Sequence, residues 1–127
     1  MRILLDTNII TALNKGDTEL IERIDGAIAV FIPIIVLGEL YYGACYSQHV
    51  EANLQRINII RTNYPVAYVD DAVTKEYGRI KAQLRKNGTP VPENDIWIAA
   101  IAAKNDYTLI SRDKHFQMID SINVKNW

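Results

Sequence analysis

The chain is 127 residues long, 49% hydrophobic and 23% charged, with a formal net charge of -1, which describes a single globular domain with room for a full core. That charge excludes a global basic field, so any binding of nucleic acid must use a local patch or a metal. Cys45 is the only cysteine, which excludes an internal disulfide and points to a reducing, cytoplasmic home, and no apolar run is long enough to span a bilayer. Asp6 interrupts the first apolar stretch, which argues against a signal peptide.

Arg2 to Leu5 is a short apolar run, as in a strand buried on both faces. Asn8 to Asn14 reads as a short helix ended by Gly16. Asp17 or Thr18 caps the next helix, which stops at Gly26. Ala29 to Ile32 reads as a strand closed by Pro33. Val36, Leu37, Leu40 and Tyr41 then recur at helical spacing up to about Gly43. Val50 to Asn63 is a further helix, with Leu54, Ile57 and Arg61 marking its turns, and Pro65 limits it. Val66 to Val69 reads as a strand.

Asp70 or Asp71 caps a long amphipathic helix carrying Val73, Tyr77, Ile80 and Leu84, which Asn87-Gly88 ends. Thr89 to Pro92 is a rigid loop. Asn94 is a suitable N-cap for a helix from Asp95 to about Lys104. Thr108 to Ser111 reads as a strand, Asp113 to Met118 as a loop or short helical turn, and Ile122 to Lys125 as an edge strand. Strands alternating with helices predict an α/β fold, a parallel sheet of about four or five strands with helices on both faces.

Four acids stand against segments that read as core. Asp6 ends the first apolar run, Glu39 lies within Ile34 to Tyr42, Asp95 opens Ile96-Trp97-Ile98-Ala99-Ala100, and Asp113 follows Leu109-Ile110-Ser111. An unpaired carboxylate there is costly. In the predicted architecture Asp6, Asp95 and Asp113 share the carboxyl edge of the sheet, and Glu39 can point to it. Carboxylates gathered at one edge repel each other unless a cation sits among them, as at an oxygen-ligand Mg2+ or Mn2+ site. Taken singly, Asp95 also fits a first-turn acid favoured by the helix dipole, Asp6 a turn residue, and Glu39 an exposed helix residue.

Leu4-Leu5-Asp6-Thr7-Asn8, Glu39-Leu40, Gly88-Thr89-Pro90, Asn94-Asp95-Ile96-Trp97-Ile98-Ala99-Ala100 and Leu109-Ile110-Ser111-Arg112-Asp113 together resemble the PIN-domain ribonucleases, and among them the VapC-type toxins of toxin–antitoxin pairs. The resemblance covers the whole chain, residues 1–127, as one PIN domain. It implies a metal-dependent endoribonuclease that hydrolyses RNA phosphodiester bonds, with tRNA a candidate substrate. Mg2+, or Mn2+ as substitute, would be held by Asp6, Asp95 and Asp113, with Glu39 completing the catalytic acids. Thr7, Asn8 and Ser111 would support them: Thr7 orienting Asp6, and Asn8 donating to substrate or metal-bound water. It further implies a homodimer and a cognate antitoxin whose cationic side chain reaches the acids. Arg112 departs from the small polar residue common at its position. It is expected to face the acids and hold substrate phosphate with Lys114, or else to pair with Asp113.

Other features read more plainly. Arg79, Lys81, Arg85 and Lys86 form a basic helix face, either a solvated surface or an RNA-backbone track. Tyr41, Tyr42 and Tyr46 read as packing or a protein interface rather than base stacking. Cys45 reads as a partly buried filler, and His115 lacks a partner that would make it a general acid. Competing functions are a PIN-like nuclease of RNA processing and a non-catalytic RNA- or protein-binding module. An aspartyl phosphatase would want a second Asp where Asn8 stands, and no G-x-G-x-x-G follows the first strand to favour a nucleotide-binding fold.

Overall fold

Ile3, Leu4 and Leu5 are all fully buried. Successive side chains of a strand point to opposite faces, so the strand they form is covered on both sides. In a computed structural model, which describes residues 1–127, the elements run β1 (Arg2–Leu5), α1 (Thr7–Asn14), α2 (Thr18–Asp25), β2 (Ala29–Pro33), α3 (Ile34–Cys45), α4 (Val50–Asn63), β3 (Val66–Ala67), α5 (Asp71–Lys86), α6 (Glu93–Asn105), β4 (Thr108–Ile110), a 3-10 turn (Lys114–Met118) and β5 (Asn123–Lys125). The five strands form one parallel sheet in the order β3-β2-β1-β4-β5. The predicted α/β architecture is therefore observed.

A core of 25 buried residues joins the sheet to the helices; Ile9 and Ile10 of α1, Ile80 and Leu84 of α5 and Ile96 to Ala102 of α6 all belong to it, except half-buried Trp97, which packs against it. The apolar sequence of α6 follows from this burial. Leu37, Ala44 and Ile57 form a separate small cluster between α3 and α4. The hairpin of these two helices thus has its own seam beside the main core.

Several boundaries differ from those the sequence predicts. α1 begins at Thr7, because Asp6 caps it. α3 begins directly after Pro33 and runs on through Gly43 to Cys45, whose side chain is exposed rather than a partly buried filler. On α4 Leu54 and Ile57 face inward as expected and Ile60 joins them, but Arg61 is exposed. β3 stops at Ala67, Tyr68 is exposed, and Asp70 turns its carboxylate to the Val73 N–H to cap α5. Gly88, at φ 65°, supplies the left-handed residue after α5. Asn94 does not cap α6. Pro92 holds that place, with φ -56° and ψ 145°, and the helix starts at Glu93. Proline suits a helix entrance because it lacks the N–H that would be orphaned there. Asn94 and Asp95 consequently both lie within the first turn.

Candidate active site

β1 and β4 are neighbours, but their connections diverge. The chain leaving β1 returns at β2, while the chain leaving β4 returns at β5 on the other side. In open parallel sheets such a divergence leaves a crevice beyond the carboxyl ends of the strands. Leu5 pairs with Ile110, so Asp6 and Ser111 emerge side by side into this crevice. Only these two polar residues of the chain are buried.

The hydrogen bonds explain how a buried carboxylate is accommodated. Asp6 Oδ1 accepts from the Thr7 N–H at 2.8 Å. Asp6 Oδ2 accepts from Ser111 Oγ at 2.7 Å and from the Asn8 amide at 3.3 Å. Ser111 Oγ accepts in turn from the Asp113 N–H at 3.0 Å, tying the fourth acid to the first. Asn8 Oδ1 accepts from the Arg112 N–H at 3.1 Å. Thr7 holds Asp6 through its main chain; its hydroxyl donates instead to Glu39 Oε1 at 3.2 Å. Asn8 is committed to Asp6 and the Ser111–Arg112 strand end, so it positions the acid rather than facing outward.

The charges act on one another. Burial pushes the Asp6 carboxyl above its ordinary range, against the hydrogen bonds from Ser111, Thr7 and Asn8, and the charge of Asp113 adds to the push. Burial likewise raises Glu39, where the Thr7 hydroxyl opposes it and the charges of Asp6 and Asp95 reinforce it. Asp95 is raised by burial and by Asp6, lowered by His115, and raised again by Asp113. The predicted acids from β1, α3, α6 and the end of β4 are thus brought into one electrostatic group. Glu39 also borders an open groove of about 590 Å³ with Thr7, Ile34, Ile35, Tyr42 and Asn94.

His115 does have partners, contrary to the sequence-based expectation. Its Nδ1 lies 3.2 Å from Asp95 Oδ2 and 2.9 Å from Asp113 Oδ1. The signal available in the sequence was its position two residues after an acid at a strand end. Arg112 is corrected in the opposite direction. Its guanidinium does not pair with Asp113; it reaches Asp17 Oδ2 at 3.0 Å and the main-chain oxygen of Trp127 at 2.9 Å. Asp17, already the cap of α2, offers a carboxylate that Asp113 does not, because Asp113 Oδ1 faces the N–H and ring of His115. Lys114 is exposed beside Asp113. Of the basic residues on α5, Lys81 bonds Glu93 at the start of α6 and Arg79 pairs with Glu76.

The donor set suits a divalent cation. Asp95, Asp113 and His115 offer one ligand atom each, all within 4.8 Å of one another, and the raised carboxyls of Asp6, Glu39 and Asp95 are those a cation would relieve.

Residues 3–122 match the PIN domain family. Ribonuclease VapC1 of Haemophilus influenzae (strain R2866) is 32% identical, with 100% of this chain and 98% of that protein aligned. The tRNA(fMet)-specific endonuclease VapC of Salmonella typhimurium (strain LT2) is 30% identical, again over 100% of this chain and 98% of that protein. Among solved structures, VapBC2 from Rickettsia felis bound to a DNA fragment from their promoter has a TM-score of 0.93 at 28% identity, covering 100% of this chain and 99% of that one. VapBC-1 from nontypeable Haemophilus influenzae has a TM-score of 0.92 at 32% identity, covering 100% and 98%. With an acidic crevice at the divergence of β1 and β4 and full-length kinship to these ribonucleases, the chain belongs to the PIN-domain family, on its VapC branch.

Proposed function

We propose that this protein is an endoribonuclease toxin that hydrolyses RNA phosphodiester bonds with the aid of Mg2+ or Mn2+ and is held inactive by a cognate antitoxin. The observation that carries this reading is the convergence of Asp6, Glu39, Asp95 and Asp113 at one edge of the sheet, with Thr7 between the first two, Ser111 between Asp6 and Asp113, and His115 between Asp113 and Asp95. A folded protein maintains such a group at a cost, and cation binding offsets it. The tRNA(fMet) specificity in the name of the Salmonella relative favours tRNA as the substrate class. A non-catalytic binding module would have no use for all four acids. No helix is long and apolar enough to cross a membrane, and a cytoplasmic place of action agrees with the one exposed cysteine.

In this reading Asp6, Asp95 and Asp113 hold the ion, which when bound supplies Lewis acidity toward a phosphoryl oxygen and acidifies a water. Ser111, Thr7 and Asn8 fix the rotamer of Asp6 and use three of its about four acceptor sites, leaving Oδ1 with the one for the ion. Thr7 anchors Glu39 by Oε1, leaving Oε2 to take a proton from the attacking water. Burial raises the proton affinity of Glu39 above its ordinary range, the direction that favours a proton acceptor. Lys114, exposed beside Asp113, would neutralise a phosphate flanking the scissile bond. Arg112 braces the strand end through Asp17 and is withdrawn here from the phosphate role expected of it.

For the antitoxin, a second groove leads from Thr7 and Glu39 along α1, α3 and α4 past Leu40, Ile57 and Ile60. An amphipathic antitoxin segment laid there, its apolar side on Leu40 and its polar side toward Thr11, Asn14, Asn53 and Arg56, would deliver an Arg or Lys side chain to the acids and occupy the place of the ion. The exposed, mutually stacked rings of Tyr42 and Tyr46 fit an interface, and a homodimer is part of this proposal. The deciding experiment is cleavage of total tRNA by the purified chain and its Asp6→Asn and Asp95→Asn variants, with and without Mg2+. Cleavage that needs the ion and both acids supports the reading. Equal cleavage by the variants, at wild-type thermal stability, refutes it.

A further inference from the structure

We infer that His115 is itself a ligand of the divalent ion, so that the site has a nitrogen donor and prefers Mn2+ to Mg2+. The inference rests on the reading above that the carboxylates hold such an ion, and it adds a residue and an ion preference to it.

The geometry begins with the turn after β4. Asp113 Oδ1 accepts the His115 N–H at 2.9 Å and so caps the 3-10 turn. The next residue, Phe116, is fully buried and pins that turn to the core. A residue held between a capped start and a buried neighbour has little freedom, and its side chain is delivered to the mouth of the crevice. There a single ring nitrogen, Nδ1, faces two carboxylates from different elements, Asp95 Oδ2 at 3.2 Å and Asp113 Oδ1 at 2.9 Å. Adjacent ligands of an octahedral ion with bonds of about 2.1 Å stand about 3 Å apart. The two measured separations are of that size. An ion seated against Asp95 and Asp113 would therefore find Nδ1 within the same coordination sphere, after the ring proton moves to Nε2.

The chemical consequence concerns selectivity. Mg2+ favours oxygen ligands and retains its waters, whereas imidazole suits transition ions. A purely carboxylate site would discriminate weakly between Mg2+ and Mn2+. With His115 in the coordination sphere, the Mn2+ form gains a bond that the Mg2+ form gains much less from. The alternative role for His115 is a cationic tether that occupies the ion's place when the ion is absent. The two roles predict opposite signs. Removing a ligand weakens ion binding, while removing a competing tether strengthens it.

The test is calorimetric titration of the wild-type chain, His115→Ala and His115→Gln with MnCl2 and with MgCl2, alongside pulsed electron paramagnetic resonance of the Mn2+ forms. His115 is about half exposed, so neither substitution opens a cavity; thermal melting checks the fold, and the wild-type spectrum needs no variant. The expected result is a directly bound 14N coupling in the wild type that both variants lose. Mn2+ affinity should fall about tenfold, with less than about a twofold change for Mg2+. Mn2+ binding by the wild type without nitrogen coupling, or affinity unchanged or increased in the variants, overturns the ligand role and leaves the carboxylate site standing. Absence of Mn2+ and Mg2+ binding by the wild type overturns both.

Discussion

Ser111 Oγ donates to Asp6 Oδ2 over 2.7 Å although the two residues are 105 positions apart in the chain. The same oxygen accepts the Asp113 N–H, so one hydroxyl sets two of the acids relative to each other. Ser111→Ala leaves the buried Asp6 carboxylate short of its closest donor and the Asp113 N–H short of its acceptor. The expected cost is about 1–3 kcal/mol in urea unfolding. Cleavage should fall as well, and Ser111→Thr, which keeps the hydroxyl, should recover part of both. Wild-type stability in the Ala variant would mean that the hydroxyl organises nothing.

Acid should first strengthen and then weaken the chelated protein. Burial raises Asp6, Glu39 and Asp95 above their ordinary values of 3.8, 4.5 and 3.8. A carboxyl with a raised folded pKa destabilises the fold when ionised, and that penalty builds as pH climbs from the unfolded value through the folded one. Asp17 and Asp70 behave oppositely. Hydrogen bonds from Arg112 and Lys104 hold them below 3.8, so their stabilisation is present above that value and disappears as pH falls through their lowered values. With EDTA present, Tm should rise from pH 7 toward about pH 4 and drop below it. Asp6→Asn should flatten the rise. A wild-type Tm that declines steadily on acidification would contradict the raising of these carboxyls by burial and by one another.

Arg112 and Lys114 should separate cleanly in RNA binding. Lys114→Ala should lower the slope of log K against log salt by about 1, as for a lost phosphate contact. Arg112→Ala should leave the slope unchanged, because its guanidinium is held by Asp17 and Trp127. Its effect should be on stability, a small fall in Tm, because the pair is largely open to solvent. Exchanging the charges, Asp17→Arg with Arg112→Asp, should restore part of it. A shallower salt slope in Arg112→Ala would return the guanidinium to the substrate.

The contrast between those two residues shows where the sequence is readable. Asp6, Glu39, Asp95 and Asp113 stand out because each is a charge against an apolar run, and the order of strands places such positions at one edge. Their convergence is therefore legible before any coordinates. The partners of Arg112 and His115 are not. Asp17 lies 95 positions before Arg112, and Asp95 20 positions before His115, and only the docking of α2 and α6 brings them within reach. The start of α6 differs from the sequence expectation for a local reason. Asn94 has the better capping side chain, but Pro92 has the backbone geometry of an entrance, and backbone geometry decided it. The strand at Val66 came out short because Asp70 was drawn into capping α5, which pulls the chain away from the sheet edge.

Ion and antitoxin should compete. If an antitoxin cation is seated among Asp6, Glu39, Asp95 and Asp113, it neutralises the charges the ion would neutralise. Antitoxin affinity measured with EDTA should exceed that measured in saturating Mn2+, and the deficit should grow with log of ion concentration as mass action requires. The Asp95→Asn variant should lose most of this dependence. Equal affinity in both conditions would mean that the antitoxin leaves the acids alone.

The 105-position separation of Asp6 and Ser111 also bears on the protein's birth. During synthesis Asp6 emerges well before β4, Ser111, Asp113 and His115. Until they dock beside β1, the growing chain has one half of its acidic crevice and an unpaired edge on its central strand. A nascent toxin is thereby unarmed while it is still attached to the translation machinery. Its threat to RNA begins only once the chain through β4 and His115 is free to close beside β1, which is also when the acidic end of the groove proposed for the antitoxin is first complete.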